Sequence, residues 1–220
     1  MLHQTTPPGI ILSSLGLMAV NEREKIRAAS LEVLGVSSLE GLSVAIIPTA
    51  SERLFFRGFV GQSVKYWQQW GAEVSIANLI EGEENIQKIL EKSDIIYVPG
   101  GNTYTLMRHL AQAKVREYLP ALLEKRLYIG ESAGSIVAGI NVSTAILTFD
   151  HNPERIFTDR SGLGLVPFLV WPHHSVASRG VMNAHKWLLP VFYKRMFSHP
   201  VERLRNGEIL MYKNGNVERR

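Results

Sequence analysis

The sequence predicts an α/β fold in which a mostly parallel central sheet carries helices on both faces. Short apolar runs alternate with longer segments of helical character, and this alternation is typical of βαβ units. The 220 residues are enough for one sizeable α/β domain. No internal repeat, low-complexity tract or linker divides them. We therefore predict a single domain over residues 1–220.

Five apolar runs in the first 130 residues have the length and composition of buried strands. They are residues 9–13, 43–48, 73–79, 94–99 and 126–129. Helices are predicted between them at residues 21–34, 57–70, 83–92 and 102–125, the last as one long helix or two. Gly35 and Gly71 follow the first two helices, as expected of residues that end a helix.

The alternation is weaker beyond residue 140. Residues 165–171 form another apolar run, and a helix is predicted within residues 181–197. Residues 208–213 followed by Asn214 and Gly215 predict a terminal hairpin, because an Asn-Gly pair favours a tight turn between two strands.

Composition excludes several classes of protein. The formal charge is +4, but no basic stripe interleaved with aromatic residues indicates a nucleic-acid partner. No apolar stretch approaches the ~20 residues of a membrane span, and no basic residue precedes the N-terminal apolar run, so we expect no membrane association, no signal peptide and a cytoplasmic location. Cysteine is absent, which excludes disulfides, thiolate zinc sites and a cysteine nucleophile.

The segment GESAG, residues 130–134, follows a predicted strand and precedes small helix-forming residues. It satisfies the G-x-S-x-G pattern of a nucleophile elbow, in which Ser132 would be exposed on a sharp turn. The N–H of Ala133 would then point towards a developing oxyanion. The competing interpretation is that a small serine simply fits where a strand meets a helix.

A second glycine-rich segment, PGGNT at residues 99–103, also follows a strand. Gly100 and Gly101 would let the backbone approach a ligand closely, and Asn102 or Thr103 could cap the next helix. The alternative is a plain strand-to-helix turn. Because ligands gather at the carboxyl ends of parallel strands, both glycine-rich segments are candidates for the same site.

A serine nucleophile needs a base, and the chain has seven histidines. His173 and His174 directly follow the run LVPFLVWP, again at the end of a predicted strand. Asp150 lies between the serine and this pair in the sequence and is a candidate to orient the imidazole. No metal-binding, dinucleotide or P-loop motif is present, so neither a metal nor an organic cofactor is predicted.

Taken together, PGGNTYTL, YIGESAGSIVAG, an aspartate and GLGLVPFLVWPHH resemble the peptidase E (α-aspartyl dipeptidase) and cyanophycinase family of serine peptidases. The resemblance runs from about residue 44 to 174 and continues more weakly to 215. It implies a fold similar to the glutaminase domain of class I amidotransferases, which is flavodoxin-like, with serine in place of cysteine.

The resemblance also implies roles and a substrate. Ser132 would be the nucleophile, His173 the base and Asp150 the orienting acid, with short peptides, above all dipeptides with N-terminal Asp, cleaved through an acyl-enzyme. Gly101, more than Gly100, would join Ala133 in the oxyanion hole. Gly100 and Asn102 would contact substrate. Arg179 and Arg195 are the candidates for the basic side chains that hold the N-terminal aspartate in these enzymes, and the alternative is that both are surface charges.

One departure concerns the late L-x-E-G segment, whose glutamate is an alternative third triad member in the family. Residues 204–207 read LRNG here, which places Asn206 at the acid position. The histidine would then depend on Asp150, which we favour, or on the adjacent Glu208. Alternatively, the site has diverged from the triad of the family.

Two other functions compete with a peptidase. Asn206 favours a non-catalytic relative that binds ligands or regulates. An α/β-hydrolase esterase shares the order serine, acid, histidine, but it usually places the histidine far downstream. A working glutamine amidotransferase is excluded by the absence of cysteine. The expected partner is a small peptide substrate, and a homodimer is a candidate assembly.

Overall fold

A seven-stranded sheet forms the centre of the fold in the computed structural model, which describes residues 9–51, 57–148, 150, 160–174, 197 and 199–220. The strands are β1 (Gly9–Ser13), β2 (Ser43–Ile46), β3 (Glu73–Ile76), β4 (Ile95–Val98), β5 (Leu127–Glu131), β6 (Leu169–Trp171), β7 (Val201–Arg203), β8 (Ile209–Lys213) and β9 (Asn216–Arg219). The helices are α1 (Val20–Leu34), α2 (Arg57–Gln69), α3 (Glu83–Glu91), α4 (Thr103–Gln112), α5 (Val115–Leu122) and α6 (Ala133–Ala138).

The strand order of the sheet is β3-β2-β4-β5-β1-β8-β9. The first five strands in this order are parallel, whereas β8 and β9 are antiparallel to their neighbours. Strands β6 and β7 form a separate parallel pair. The first strand of the chain therefore lies inside the sheet, between β5 and the late strand β8.

Two apolar clusters cover the two faces of this sheet. One contains residues of α3, α4, α5 and α6, and the other contains residues of α1 and α2. Strands β1, β2, β4 and β5 alternate their side chains between the clusters, which explains why they read as continuous apolar runs. The predicted α/β class, with a mostly parallel sheet and helices on both faces, is confirmed.

The structure decides one question that the sequence leaves open. The segment 102–125 contains two helices, because Lys114 has a left-handed backbone (φ 49°) that ends α4 and starts α5. The predicted terminal hairpin is confirmed as β8 and β9. Asn214 and Gly215, with φ of 54° and 80°, form its turn. The helix predicted within residues 181–197 lies outside the described residues. Among the described helices, none is both long and apolar enough to cross a membrane.

Candidate active site

Ser132 occupies the turn between β5 and α6, at the carboxyl end of a central strand. Its backbone has φ 49° and ψ −106°, a region that non-glycine residues rarely adopt. The flanking glycines are required by close packing. A Cβ on Gly130 would lie 2.6 Å from the backbone of Gly134, and a Cβ on Gly134 would lie 2.0 Å from the carbonyl oxygen of Val98. The sharp elbow expected from the motif is therefore present.

His173 lies against this serine. It follows β6 and Pro172, and its Nε2 is 2.9 Å from Ser132 Oγ. Its backbone N–H donates to Ser14 Oγ at 2.7 Å, and its own φ is 57°. The structure thus brings together two residues that are 41 positions apart in the sequence, as expected if one activates the other.

The other ring nitrogen of His173 faces Asn206 and Ser14. Nδ1 is 3.1 Å from Asn206 Oδ1 and 3.2 Å from Ser14 Oγ, and the Ser14 hydroxyl donates to Asn206 Oδ1 at 2.9 Å. An amide oxygen only accepts hydrogen bonds, so it favours the tautomer with the proton on Nδ1. Nε2 is then left as the acceptor for the proton of Ser132.

Asp150 is not the residue that contacts this imidazole. Its Oδ2 accepts hydrogen bonds from the N–H of Thr103, at 3.0 Å, and from the Thr103 hydroxyl. These bonds place the carboxylate at the start of α4, where the helix dipole favours negative charge. Glu208, the alternative acid, accepts from the N–H of Arg205 at 3.0 Å. The structure therefore corrects the prediction for Asp150: the third partner of His173 is Asn206.

The position of Asp150 at the start of α4 predicts how Asp150→Ala affects stability and kcat. The variant should lose about 1 kcal/mol of unfolding free energy, because the first turn of α4 loses a capping acceptor. Its kcat should stay within about tenfold of the parent's, since Asn206 still holds the imidazole. Urea unfolding and steady-state kinetics measure the two effects. A loss of kcat as large as that of Asn206→Ala, at unchanged stability, would return the orienting role to Asp150.

The loop after β4 lies beside the nucleophile. A Cβ on Gly100 would lie 3.1 Å from Ser132 Cβ, and a Cβ on Gly101 (φ 143°) would lie 2.1 Å from the carbonyl oxygen of Ala50. Pro99 has no N–H, and the N–H of Gly100 donates to the Glu131 carboxylate. Among the residues that the structure describes, none accepts a hydrogen bond from the N–H of Gly101, so this N–H is the first one in the loop available to a ligand. Asn102 caps α4, with Oδ1 accepting from the N–H of Thr105.

Glu131, the variable residue of the elbow motif, carries a buried carboxylate directly before the nucleophile. It accepts hydrogen bonds from the Tyr97 hydroxyl and from the N–H groups of Leu17 and Gly100. Burial is the main cause that raises its pKa to about 7, and the nearby charge of Glu22 acts in the same direction. The motif alone did not assign it a role. A charged residue inside an apolar strand was the available signal.

Replacement of this carboxyl group should change how stability depends on pH. In the native state Glu131 keeps its proton up to about pH 7, whereas in the unfolded chain it loses the proton near its ordinary value of 4.5. The native state then binds more protons within this window, so the parent loses stability as the pH rises through it. The loss is on the order of 3 kcal/mol. Glu131→Gln should lack that loss in urea titrations between pH 4.5 and 7.5.

The exposed Glu40→Gln serves as the control for the loss of one carboxyl group and should follow the parent. If the curves of Glu131→Gln and the parent run parallel across the window, Glu131 does not retain its proton in the native state.

A cavity of about 180 Å³ opens in front of Ser132 and His173. Its described lining includes the apolar side chains of Leu15, Met18 and Phe59 beside the glycine loop. This volume is below the ~300–1,000 Å³ of typical ligand pockets and suits a small group. Arg179 and Arg195, the predicted contacts of a substrate carboxylate, lie outside the described residues.

Comparison with known sequences identifies the family to which the chain belongs. Residues 10–220 match the model of peptidase family S51. The uncharacterised peptidase Lmo0363 of Listeria monocytogenes is 35% identical over 144 residues, which cover 63% of this chain and 69% of that protein. A peptidase E of Actinobacillus pleuropneumoniae is 28% identical over 139 residues, covering 63% of this chain and 56% of its own length.

Two crystal structures share the fold. A Listeria monocytogenes protein assigned to peptidase E superposes with a TM-score of 0.75 at 24% identity, over 98% of both chains. A peptidase from an acI-B1 Actinobacterium gives a TM-score of 0.67 at 15% identity, over 99% of this chain and 88% of its own. At these identities the superpositions demonstrate a common architecture.

Proposed function

This chain belongs to peptidase family S51 and is a serine-type peptidase, and from that premise we propose that it hydrolyses short peptides with Ser132 as nucleophile and His173 as base. The observation that carries the assignment is the 2.9 Å contact between Ser132 Oγ and His173 Nε2, made at a strained turn. A strained backbone is retained where the surrounding structure enforces it, and such positions cluster at active sites.

In the proposed reaction, Ser132 attacks the scissile carbonyl while its proton passes to His173 Nε2. The N–H groups of Gly101 and Ala133 stabilise the oxyanion of the tetrahedral intermediate, at roughly 3–4 kcal/mol per donor. His173 then gives the proton to the leaving amine, and the carbon–nitrogen bond breaks. Water, deprotonated by the same imidazole, hydrolyses the acyl-enzyme and restores Ser132.

Asn206 accepts from Nδ1 throughout this cycle and keeps the imidazole in one tautomer. A neutral amide does this without compensating the charge of the imidazolium that forms, as the asparagine does in cysteine peptidases of the Cys-His-Asn type. We therefore assign the triad as Ser132, His173 and Asn206.

The substrate class proposed here is short peptides, above all dipeptides with an N-terminal Asp. The small cavity supports a short substrate. The Asp preference comes from the peptidase E resemblance alone. A second candidate function, binding of peptides without turnover, is favoured by the presence of Asn206 where the family often has an acid.

A panel of aminoacyl-p-nitroanilides, dipeptides and p-nitrophenyl esters tests the proposal. Cleavage of Asp-Xaa substrates by the parent establishes both the peptidase activity and the preference, whereas cleavage after other N-terminal residues keeps the mechanism and changes the specificity. Cleavage of esters alone indicates an esterase. Binding of dipeptides by calorimetry without hydrolysis supports the non-catalytic alternative.

A further inference from the structure

Glu22, in the first turn of α1, carries a carboxylate that is 0% exposed. Its Oε2 accepts hydrogen bonds from three consecutive backbone N–H groups, of Ser14 at 3.1 Å, Leu15 at 2.7 Å and Gly16 at 2.8 Å. Its Oε1 accepts from the N–H of Gly207 at 2.6 Å. A single side chain thus joins the loop after β1 to the loop before β8.

These two loops supply both partners of His173 Nδ1. Ser14 lies in the first loop, and Asn206 is the neighbour of Gly207 in the second. The β1–β8 ladder ends at the pair Ser13 and Ile209, so strand pairing does not extend to either partner. Beyond the end of the ladder, Glu22 joins the two loops beside the residues that contact the imidazole.

We propose that Glu22 is a positioning residue for the reaction, which holds Ser14 and Asn206 at the distance that keeps His173 in its working tautomer. This inference rests on the proposed function. Position 206 lacks the acid that the family often has there, but the buried carboxyl group of Glu22 binds the backbone of both loops, one hydrogen bond further from the imidazole.

The chemistry of the four donors explains why the residue is a glutamate. Burial raises the pKa of Glu22, while its backbone hydrogen bonds act in the opposite direction. A glutamine has the same shape but only one acceptor atom. In either orientation, the NH₂ group of the glutamine amide would face a backbone N–H, at Gly207 or at residues 14–16. Because two donors cannot form a hydrogen bond with each other, one loop would move.

The inference is tested by the rate at which a fluorophosphonate labels Ser132, followed by mass spectrometry. Labelling needs an activated serine but no knowledge of the substrate. Glu22→Gln should label about 10- to 100-fold more slowly than the parent, because a small misplacement of a catalytic group is costly. The exposed Glu24→Gln, on the same helix, should label like the parent.

A double-mutant cycle separates positioning from a general effect on stability. If Glu22 acts through Asn206, Glu22→Gln combined with Asn206→Ala should label within about threefold of the slower single variant. The inference would be overturned if the double variant lost the product of the two single losses in labelling rate. It would also be overturned if Glu22→Gln labelled within twofold of the parent's rate. The pH profile of labelling should also differ between Glu22→Gln and the parent, which a loss of folded protein alone would not produce.

Glu22→Asp is the second variant, since it keeps the charge and both oxygens at a shorter reach. It should fall between Glu22→Gln and the parent. If neither variant folds, Glu22 is a stability residue and the inference fails. A parent that is neither labelled nor able to cleave any substrate overturns the proposed function itself, which is a different outcome from equal labelling of parent and Glu22→Gln.

Discussion

Ser132→Ala is expected to lower kcat by about 10⁴- to 10⁶-fold, the range seen when a nucleophile is removed from a serine peptidase. Without the hydroxyl no acyl-enzyme forms. The variant would still bind substrate beside the glycine loop. Steady-state hydrolysis of the best substrate from the panel measures the loss, and circular dichroism verifies the fold.

The same variant should change stability little, by less than about 1 kcal/mol. Alanine keeps the Cβ and therefore the strain at φ 49°, and His173 keeps its contacts at Nδ1. Ser37→Ala, an exposed serine far along the chain from the elbow, is the matched control and should retain full activity. A Ser132→Ala enzyme with more than about 1% of the parent's kcat would remove Ser132 from the role of nucleophile.

Asn206→Ala should reduce kcat by about 10²-fold and change KM little, because orientation of the base matters in the transition state more than in the bound substrate. Ser14 Oγ remains within reach of Nδ1 and accounts for the residual activity. Asn206→Asp keeps an acceptor in the same place and should retain kcat at or above the parent's level at neutral pH.

Comparison of Asn206→Ala with Asn206→Asp therefore tests whether an acceptor at position 206 is what matters. Kinetics on both variants over pH 5–9, with urea unfolding as the control for folding, provide the readout. An Asn206→Ala enzyme within threefold of the parent, or a folded Asn206→Asp enzyme as slow as Asn206→Ala, would contradict the assignment.

The fold and the proximity of Ser132 to His173 were predictable because their signals are local. Apolar runs mark the strands, and Gly101, Ser132 and His173 each lie within three residues of the end of one. The sequence does not decide whether residues 102–125 form one helix or two, because the apolar pattern continues through Lys114 and only the left-handed backbone of that residue separates α4 from α5.

The third partner of the histidine was not predictable in the same way. Asp150 lies between serine and histidine in the sequence, but that order says nothing about which edge of the sheet it reaches. It follows a 3-10 turn at Ser143–Thr148 and faces the start of α4. Asn206 reaches His173 because β8 pairs with β1, a contact between the two ends of the chain. The LRNG segment was the one local sign.

The position of β1 between β5 and β8 has a consequence for synthesis of the protein. Ser14, Ser132 and His173 can all leave the ribosome before Asn206 and β8, which complete the surroundings of the imidazole. Until β8 emerges, β1 has one open edge, and pairing over nearly 200 residues is slow to form. A nascent chain would thus carry its nucleophile while lacking the acceptor that orients the base. Full peptidase activity should therefore appear only after β8 has been made and has paired with β1.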